Sequence, residues 1–324
     1  MLEARYYSKE DGFINCFLCP HNCKIGEGKT GLCKVRKNIR GKLFTLNYET
    51  MTSYGYDPIE KKPLYHFYPG MSIFSFGTFG CNFTCDFCQN ISIVQNVDMY
   101  MNTKIDDILE FAKANDSIGI AYTYNEPTIF YEFMYDTAKR AKDLGLKNIM
   151  ITNGYINEKA LLDILPLIDG MNIDLKSMEN SYYKRYCGGS LNPVLDTIKS
   201  AFGKTHIEIT TLIIDDENSD EDEIFRLSKF ISQISPDIPL HLSKYYPSNR
   251  MTNPQTKTQT LIDLRNIAKK NLNFVYIGNV WGIDNNTYCP NCKNLLINRF
   301  PSIEVIGLEN GHCNRCAEKI NIIY

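Results

Sequence analysis

Three closely spaced cysteines constrain this chain more than any other feature of its sequence. Cys81, Cys85 and Cys88 stand in one loop with the spacing C-x3-C-x2-C, directly after an apolar, strand-like segment at residues 71–76. Thiolates are the usual ligands of iron–sulfur clusters, and three of them can hold three irons of a 4Fe–4S cube. The fourth iron then stays open to a small molecule. The spacing therefore predicts a catalytic 4Fe–4S site, and the alternative is a set of three buried or zinc-binding cysteines.

The triplet is one of four groups into which the twelve cysteines of the chain fall. The other nine are Cys16, Cys19, Cys23 and Cys33, then Cys187 alone, then Cys289, Cys292, Cys313 and Cys316. Twelve cysteines in 324 residues are too few for a disulfide-dense scaffold. In a reducing compartment, close C-x-x-C pairs more often bind metal or do redox chemistry than form disulfides. The grouping therefore predicts up to three metal centres.

The rest of the composition is that of an ordinary water-soluble protein. The net charge is −2, with 44% hydrophobic and 22% charged residues, so strong attraction to nucleic acid is not expected. The start of the sequence has no apolar signal core, and no apolar run approaches the roughly 18 residues of a membrane span. We therefore predict a cytoplasmic protein without a membrane partner.

Strand-like and helix-like segments alternate after residue 70, as a parallel α/β architecture requires. The pattern predicts helices after Pro127 and at residues 157–165, 224–234 and 261–269, and strands at residues 71–76, 118–124, 147–152, 171–175, 207–214, 240–242 and 274–277. Six or seven βα units predict a partial (β/α)6-type barrel over residues 71–284. A Cys-rich N-terminal extension (residues 1–70) and a small C-terminal module (residues 285–324) flank it.

The triplet, with the aromatic residue Phe87 before its last cysteine, resembles the cluster loop of the radical SAM superfamily. In that superfamily, S-adenosylmethionine (SAM) binds the open iron through its methionine amino and carboxylate groups. One-electron reduction then breaks a C–S bond of SAM and gives a 5′-deoxyadenosyl radical. The resemblance implies a radical SAM enzyme with a 4Fe–4S cluster ligated by Cys81, Cys85 and Cys88.

Polar residues stand at the predicted carboxyl ends of several strands, where barrel folds place their chemistry. A zwitterionic ligand with a ribose needs a carboxylate for its amino group, donors for its own carboxylate, and polar contacts for its hydroxyls. Glu126, Asn153, Asp174 and Lys176 can supply these groups. An isolated Glu-Pro pair is more often a plain helix start, but its place after a strand favours a role in binding.

Longer matching runs make the resemblance more specific, to the radical SAM member of the AmmeMemoRadiSam group, relatives of pyruvate formate-lyase activating enzymes. The runs lie at residues 16–23, 31–36, 57–70, 80–90, 122–127, 172–176 and 239–243. The resemblance implies that Glu126 receives the amino group of SAM. It also implies cofactor-binding roles for Phe87, Asn125, Asn153, Asp174, Lys176 and His241. The activating enzymes carry Asp where this chain has Ile151, which puts a monovalent cation site in doubt.

Two C-x-x-C pairs near the C-terminus form a zinc-ribbon pattern. Cys289 and Cys292 are separated from Cys313 and Cys316 by a 20-residue interval. Four thiolates arranged as two pairs suit the tetrahedral coordination of Zn²⁺, so we predict structural zinc there. An auxiliary iron–sulfur cluster is the alternative.

The N-terminal cysteines have less regular spacing. Cys16, Cys19, Cys23 and Cys33 are predicted to bind one metal centre, and the spacing leaves zinc and an auxiliary iron–sulfur cluster open. Cys187 has no partner in the pattern, and a lone cysteine is usually a small buried hydrophobic residue.

The sequence thus predicts an oxidoreductase of the radical SAM type that abstracts hydrogen from a substrate. A one-electron donor such as flavodoxin or ferredoxin is implied as a partner. The resemblance leaves two substrates open: a glycyl-radical-type protein partner, or another molecule handled with AmmeMemoRadiSam partners. The alternative to an enzyme is a non-catalytic iron–sulfur or zinc protein that transfers electrons or binds a partner.

Overall fold

The structure is a computed structural model that describes residues 1–95 and 99–324. Its strands, in chain order, are β1 (Leu2–Glu3), β2 (Tyr7–Glu10), β3 (Phe13–Cys16), β4 (Lys24–Ile25), β5 (Arg36–Ile39), β6 (Lys42–Thr45), β7 (Thr50–Met51), β8 (Ser53–Pro58), β9 (Ser72–Gly77), β10 (Met101–Asn102), β11 (Ser117–Tyr122), β12 (Lys147–Thr152), β13 (Gly170–Asp174), β14 (His206–Ile213), β15 (Leu240–Lys244), β16 (Val275–Gly278), β17 (Thr287–Tyr288), β18 (Leu295–Asn298), β19 (Glu304–Val305), β20 (Leu308–Glu309) and β21 (His312–Cys313).

The helices lie mainly between the strands of the central sheet. They are α1 (Ile91–Gln95), α2 (Ile105–Lys113), α3 (Tyr131–Asp143), α4 (Glu158–Ile164), α5 (Asn180–Tyr182), α6 (Asn192–Ala201), α7 (Glu221–Ile234) and α8 (Thr258–Ala268). Short 3₁₀ helices span Ile59–Lys61, Pro127–Phe130 and Leu165–Leu167, and a π-helical turn spans Tyr183–Cys187.

Eight strands form the central sheet, in the order β16-β15-β14-β13-β12-β11-β9-β8. The seven strands from β9 to β16 are parallel, and β8 pairs antiparallel with β9. The predicted α/β fold with a parallel sheet is confirmed. Within the described residues β16 and β8 are edge strands that do not pair with each other, so closure into a partial barrel stays a prediction.

Parallel strands bring their carboxyl ends to one edge of the sheet, and that edge positions the site. Strand β9 is buried from its second residue to its last, Gly77. A Cβ atom on Gly77 would lie 2.3 Å from the carbonyl oxygen of Thr123, so only glycine lets the chain after β11 pass this close. The sharp exit from β9 then leads into the triplet loop.

The N-terminal region packs on the central sheet through small antiparallel sheets, β2-β3-β4 and β1-β6-β5. Arg36 of β5 is 1% exposed, and both oxygens of the Glu132 carboxylate in α3 accept hydrogen bonds from its Nη2 atom, at 2.9 and 2.7 Å. Breaking a buried charge pair of this kind is costly, because removing one partner leaves the other charge buried and unpaired. The pair therefore fixes the N-terminal region against the helix that follows β11.

The C-terminal module contains the sheet β17-β18-β19 and the hairpin β20-β21, and it packs against β16. Arg299 joins it to the segment before β9, because its guanidinium donates to the Tyr65 carbonyl at 2.8 Å and to Glu60 at 3.2 Å. The predicted domain boundaries stay predictions. Strand β8 falls within the predicted N-terminal extension, yet it belongs to the central sheet.

Candidate active site and metal centres

A cavity of about 290 Å³ opens at the carboxyl edge of the parallel strands. It collects most of the predicted site residues, although they come from four separate stretches of the chain. Those that line it are Cys81, Cys85, Cys88, Phe87, Asn125, Glu126, Asn153, Asp174 and Lys176. Three thiols, two carboxylates and one amine thus face a single small-molecule-sized space.

The triplet thiols face one cavity but do not converge on a single point. Among the described residues, Cys81, Cys85 and Cys88 do not have their three Sγ atoms within 4.8 Å of one another. Thiolates that share one Zn²⁺ at about 2.3 Å lie about 3.8 Å apart in a tetrahedron. Ligands at separate corners of an iron–sulfur cube stand farther apart, so three thiols that face one cavity without converging on a point are compatible with a cluster.

The triplet thiols have different electrostatic surroundings. Burial raises the pKa of Cys81 well above its usual value, and the charge of Glu126 adds to the effect. A hydrogen bond from the Cys187 thiol lowers the pKa of Cys85 and raises that of Cys187 itself. Cys187 is fully buried in the π-helical turn and does not line the cavity. Its place against Cys85 was missed by the sequence prediction, because the two lie a hundred residues apart.

Glu126 lies on the cavity wall, where it also begins a helix. Its Oε1 atom accepts from the Thr128 backbone N–H at 2.9 Å and from the Thr152 hydroxyl at 2.7 Å. Among the described residues, its Oε2 atom accepts one hydrogen bond, from the Asn153 backbone N–H at 2.8 Å. A carboxylate oxygen can accept two. Oε2 therefore keeps an acceptor position for a donor in the cavity, and burial raises the pKa of the carboxyl group.

The side chains of the two predicted asparagines make hydrogen bonds to the triplet loop and to the chain just before it. The Asn125 side chain accepts from the Thr78 N–H at 3.0 Å and donates to the Gly80 carbonyl at 2.9 Å, so it fixes the chain just before Cys81. The Asn153 side chain donates a hydrogen bond at 2.8 Å to the side chain of Asn82, a residue inside the triplet loop. Both residues therefore position the loop from the neighbouring strands.

Asp174 and Lys176 form an ion pair at the end of β13, with 2.7 Å between Oδ2 and Nζ. Burial opposes the charge of Lys176, but Asp174 and the Cys85 thiolate outweigh it and raise the lysine pKa well above its usual value. The ammonium group thus stays protonated between the triplet and the carboxylate. It can donate to an anionic group bound in the cavity.

His241 is not brought to the cavity wall. It is 2% exposed and lies below the cavity, where its Nε2 atom is 2.6 Å from the Glu208 carboxylate. Glu208 also accepts from the backbone N–H groups of Tyr65 and His66, at 3.0 and 2.7 Å, and pairs with His206. In this structure His241 is therefore part of a buried network beneath the cavity.

Other residues of the cavity wall were missed by the sequence prediction. Thr210 lines it from the middle of β14, Ser243 from near the end of β15, and Asn279 from just beyond β16. The Thr210 hydroxyl is buried and has no hydrogen-bond partner in the part of the chain that the structure describes. A sequence signal was available for Ser243 and Asn279, which follow the predicted strands at residues 240–242 and 274–277. It was not available for Thr210, which lies in the middle of the predicted strand at residues 207–214.

The C-terminal cysteines form a compact group. The Sγ atoms of Cys289, Cys292, Cys313 and Cys316 all lie within 4.8 Å of one another, with 3.6 Å between Cys289 and Cys316 and between Cys292 and Cys313. Burial opposes it, but backbone N–H groups of Arg315 and Cys316 lower the pKa of Cys313 to about 6. These four thiols can hold a metal ion.

The N-terminal cysteines gather in the fold but stay farther apart. Among the described residues, no three of the Sγ atoms of Cys16, Cys19, Cys23 and Cys33 lie within 4.8 Å of one another. Burial raises the pKa of Cys16 and Cys33, and that of Cys19 to about 12. Charges on other thiols of the group add to each of these shifts, and the other three thiols all contribute to the raised pKa of Cys19.

Comparison with known proteins agrees with this geometry. The family model described as the radical SAM superfamily matches residues 76–228. Uncharacterized protein MJ0808 of Methanocaldococcus jannaschii is 43% identical over 336 residues, which cover 100% of both chains. The 4-hydroxyphenylacetate decarboxylase activating enzyme of Clostridium scatologenes is 24% identical over 163 residues, 49% of this chain and 51% of that enzyme.

Among solved structures, SuiB of Streptococcus suis bound to S-adenosylmethionine superposes with a TM-score of 0.50 at 16% identity. The match covers 64% of this chain and 52% of that one, and it shows the likeness of fold alone.

The fold, the three-cysteine loop and these relatives define one class of protein. The chain belongs to the radical SAM superfamily, whose members use a 4Fe–4S cluster and SAM, and its relatives include activating enzymes. Within the described residues, none of the helices has the length and apolar character needed to span a membrane.

Proposed function

We propose that this chain is a radical SAM enzyme, with Cys81, Cys85 and Cys88 as the cluster ligands. The observation that carries the proposal is the shared cavity, in which three thiols face Glu126, Asp174 and Lys176. These three thiols would hold a 4Fe–4S cluster, which would supply the electron for cleavage of SAM to a 5′-deoxyadenosyl radical and so for hydrogen abstraction from a substrate. The described residues of the chain bind and orient the two cofactors.

Different charged residues of the cavity are suited to different groups of the SAM molecule. The free acceptor position on Glu126 Oε2 suits the methionine amino group, because a carboxylate binds an ammonium ion by a charge-assisted hydrogen bond. Lys176 is the cation available to the methionine carboxylate, and Asp174 and Thr210 offer polar contacts for the ribose hydroxyls. Phe87 adds a buried aromatic wall that excludes water.

The central experiment is anaerobic reconstitution with iron and sulfide, followed by dithionite and SAM. We expect methionine and 5′-deoxyadenosine as products. The Cys85→Ala variant should lose both the SAM-responsive spectrum of the cluster and the products. A reconstituted chain that holds a 4Fe–4S cluster but cleaves no SAM would contradict the enzyme and favour the electron-transfer alternative.

For the substrate we propose a backbone glycine of a partner protein. The support is the relative named as an activating enzyme of 4-hydroxyphenylacetate decarboxylase, which matches half of this chain. An AmmeMemoRadiSam partner is the second candidate. Incubation of the active enzyme with each partner separates them, because hydrogen abstraction from a glycine leaves a radical on that protein with a characteristic EPR doublet.

We further propose structural zinc at the C-terminal cysteines, since the 3.6 Å separations of their Sγ atoms match thiolates that share one Zn²⁺. A cytoplasmic location and a one-electron donor of the flavodoxin or ferredoxin type complete the proposal. Free thiols at all twelve cysteines are consistent with a reducing compartment.

A further inference from the structure

The π-helical turn that follows α5 packs against the backbone of the triplet loop. The Cys187 carbonyl accepts a hydrogen bond from the Thr84 N–H at 2.9 Å, and the Tyr186 carbonyl accepts one from the Asp86 N–H at 2.9 Å. Thr84 and Asp86 are the two neighbours of Cys85 in the sequence. The turn therefore holds the backbone on both sides of the middle cysteine of the triplet.

The two glycines after the turn leave no space between it and the loop. A Cβ atom added to Gly188 would lie 2.8 Å from the Thr84 hydroxyl oxygen, and one added to Gly189 would lie 2.3 Å from the Phe83 ring. Real Cβ atoms do not approach other heavy atoms so closely, so a side chain at Gly189 would push the turn away from the loop. The packing thus brings Cys187 as near to the triplet as the backbone allows.

The Cys187 side chain is directed at the triplet and away from the cavity. It is 0% exposed, and its thiol donates a hydrogen bond to the Cys85 sulfur. Cys85 lines the cavity at the carboxyl edge of the strands, whereas Cys187 does not. Cys187 is therefore out of reach of a ligand in that cavity, and its contact is with the sulfur of a proposed cluster ligand.

A hydrogen bond to a ligand sulfur acts differently on the two oxidation states of an iron–sulfur cluster. Reduction adds one electron, which increases the negative charge on the cluster and its sulfurs. An S–H donor stabilises that charge more in the reduced state than in the oxidised state, and such bonds are one of the factors that set the reduction potential. A thiol is a weak donor in water, but the low polarity of a buried site strengthens its hydrogen bonds.

We infer that Cys187 is a positioning residue of the cluster site, whose S–H group orients the Cys85 sulfur and raises the reduction potential of the cluster held by the triplet. The inference rests on the proposed function, because it requires a cluster on Cys81, Cys85 and Cys88. In the reduction, one electron passes from the carrier to the cluster, the carrier is oxidised, and the S–H bond of Cys187 stays intact. A higher potential lets a carrier of lower reducing power supply that electron.

An EPR-monitored redox titration of the reconstituted protein, without SAM, tests the inference. The signal that disappears in Cys85→Ala identifies the triplet cluster. Cys187→Ala removes the donor, and we expect the equilibrium constant for one-electron reduction to fall about tenfold, which lowers the potential by about 59 mV. Cys187→Ser keeps a donor at the same position and should restore most of the wild-type potential.

Ser228→Ala is the matched control, because it also removes one buried donor. The Ser228 hydroxyl lies on α7, where it donates to the Phe225 carbonyl at 3.0 Å and accepts from the Asn271 side chain at 2.9 Å. The potential should stay at the wild-type value in this variant. Should Cys187→Ala fail to take up iron, Cys187→Val fills the same space without a donor and takes its place in the comparison.

The possible results separate this inference from the proposed function. Equal potentials in wild type and Cys187→Ala at equal iron content would overturn the inference and leave the proposed function standing. A Cys187→Ser potential as low as that of Cys187→Ala would also overturn it, because the shift would then come from packing and not from the hydrogen bond. A wild-type chain that takes up no iron at the triplet would overturn both.

Discussion

At the scale of single residues, Glu126 combines a structural and a binding task. Three protein donors hold its carboxylate in one orientation, and one acceptor position on Oε2 remains for a ligand. Such preorganisation lowers the entropic cost of binding, because the group need not be ordered when the ligand arrives.

The Glu126→Gln variant should bind SAM about 10- to 100-fold more weakly, since a charge-assisted hydrogen bond contributes roughly 1.5–3 kcal/mol. Isothermal titration of SAM into the anaerobic, reconstituted protein measures the loss. The matched control is Glu110→Gln, which neutralises an exposed carboxylate on α2 and should leave the affinity unchanged. An unaltered affinity in Glu126→Gln at full cluster loading would rule out the assigned role.

Most of the candidate site could be predicted at this scale, because strand ends in a parallel sheet share an edge. His241 is a predicted site residue that does not line the cavity. It lies two residues before Ser243 on the same face of β15, and of these two residues Ser243 reaches the cavity while His241 lies one layer deeper against Glu208. The depth of a side chain within the sheet is set by neighbouring strands, which the local sequence does not describe.

At the scale of elements, the triplet loop depends on contacts from three sides. Asn125 holds it from β11, Asn153 holds it from β12, and Cys33 packs on it from the N-terminal region. The parallel strands were predicted from their apolar runs. Strand β8 was missed, since a half-exposed edge strand with an internal glycine carries no such signal.

The Gly80→Ala variant should separate the N-terminal region from the triplet loop. Gly80 has φ +86°, and an added Cβ would lie 2.6 Å from Val35 Cγ1. Left-handed backbone alone costs about 1–2 kcal/mol for a residue with a side chain. Gly28→Ala is the matched control, because Gly28 has φ +72° and an added Cβ there would have no atom of residues 1–95 or 99–324 within 4 Å. We expect Gly80→Ala to lower the Tm more and to reduce iron incorporation; equal effects would contradict the packing argument.

At the scale of the whole molecule, the C-terminal module contacts the segment that precedes β9 of the central sheet. Arg299 contacts Tyr65 and Glu60, and Ile323 pairs with Phe67 just before β9. Long-range joins of this kind cannot be predicted from one sequence, because nothing local marks residues 60–68 as the partner of residues 299–323.

Loss of the C-terminal metal should therefore destabilise more than its own module. We expect about one zinc ion per chain there, and loss of that zinc with a lower Tm in Cys316→Ser. Metal analysis and thermal unfolding provide the two measurements. His312→Gln, an exposed neighbour of Cys313, serves as the control and should keep its zinc. A Cys316→Ser protein with unchanged zinc content would show that the metal is held elsewhere.

The buried network below the cavity should make the fold sensitive to acid. Burial lowers the pKa of His66 to about 3, whereas an unfolded histidine titrates near about 6.5. Between these values only the unfolded chain takes up the proton, so this histidine lowers stability as the pH falls from about 6.5 towards 3. In His66→Phe, the Tm should therefore fall less between about pH 7.5 and 5 than in wild type.

The metal sites also respond to acid, but they do so equally in both proteins, and the comparison of slopes removes their contribution. Parallel Tm curves for wild type and His66→Phe would show that His66 is not the group responsible.

The close passage of Gly77 beneath Thr123 limits how this sequence can drift during evolution. Any side chain at position 77 would force the exit of β9 away from β11, and the triplet loop would move with it. Related proteins that keep the same loop should therefore keep glycine here, even where the surrounding apolar residues have been exchanged freely. Glycine would then be invariant at this position because a side chain has no room there, and not because the residue takes part in the reaction.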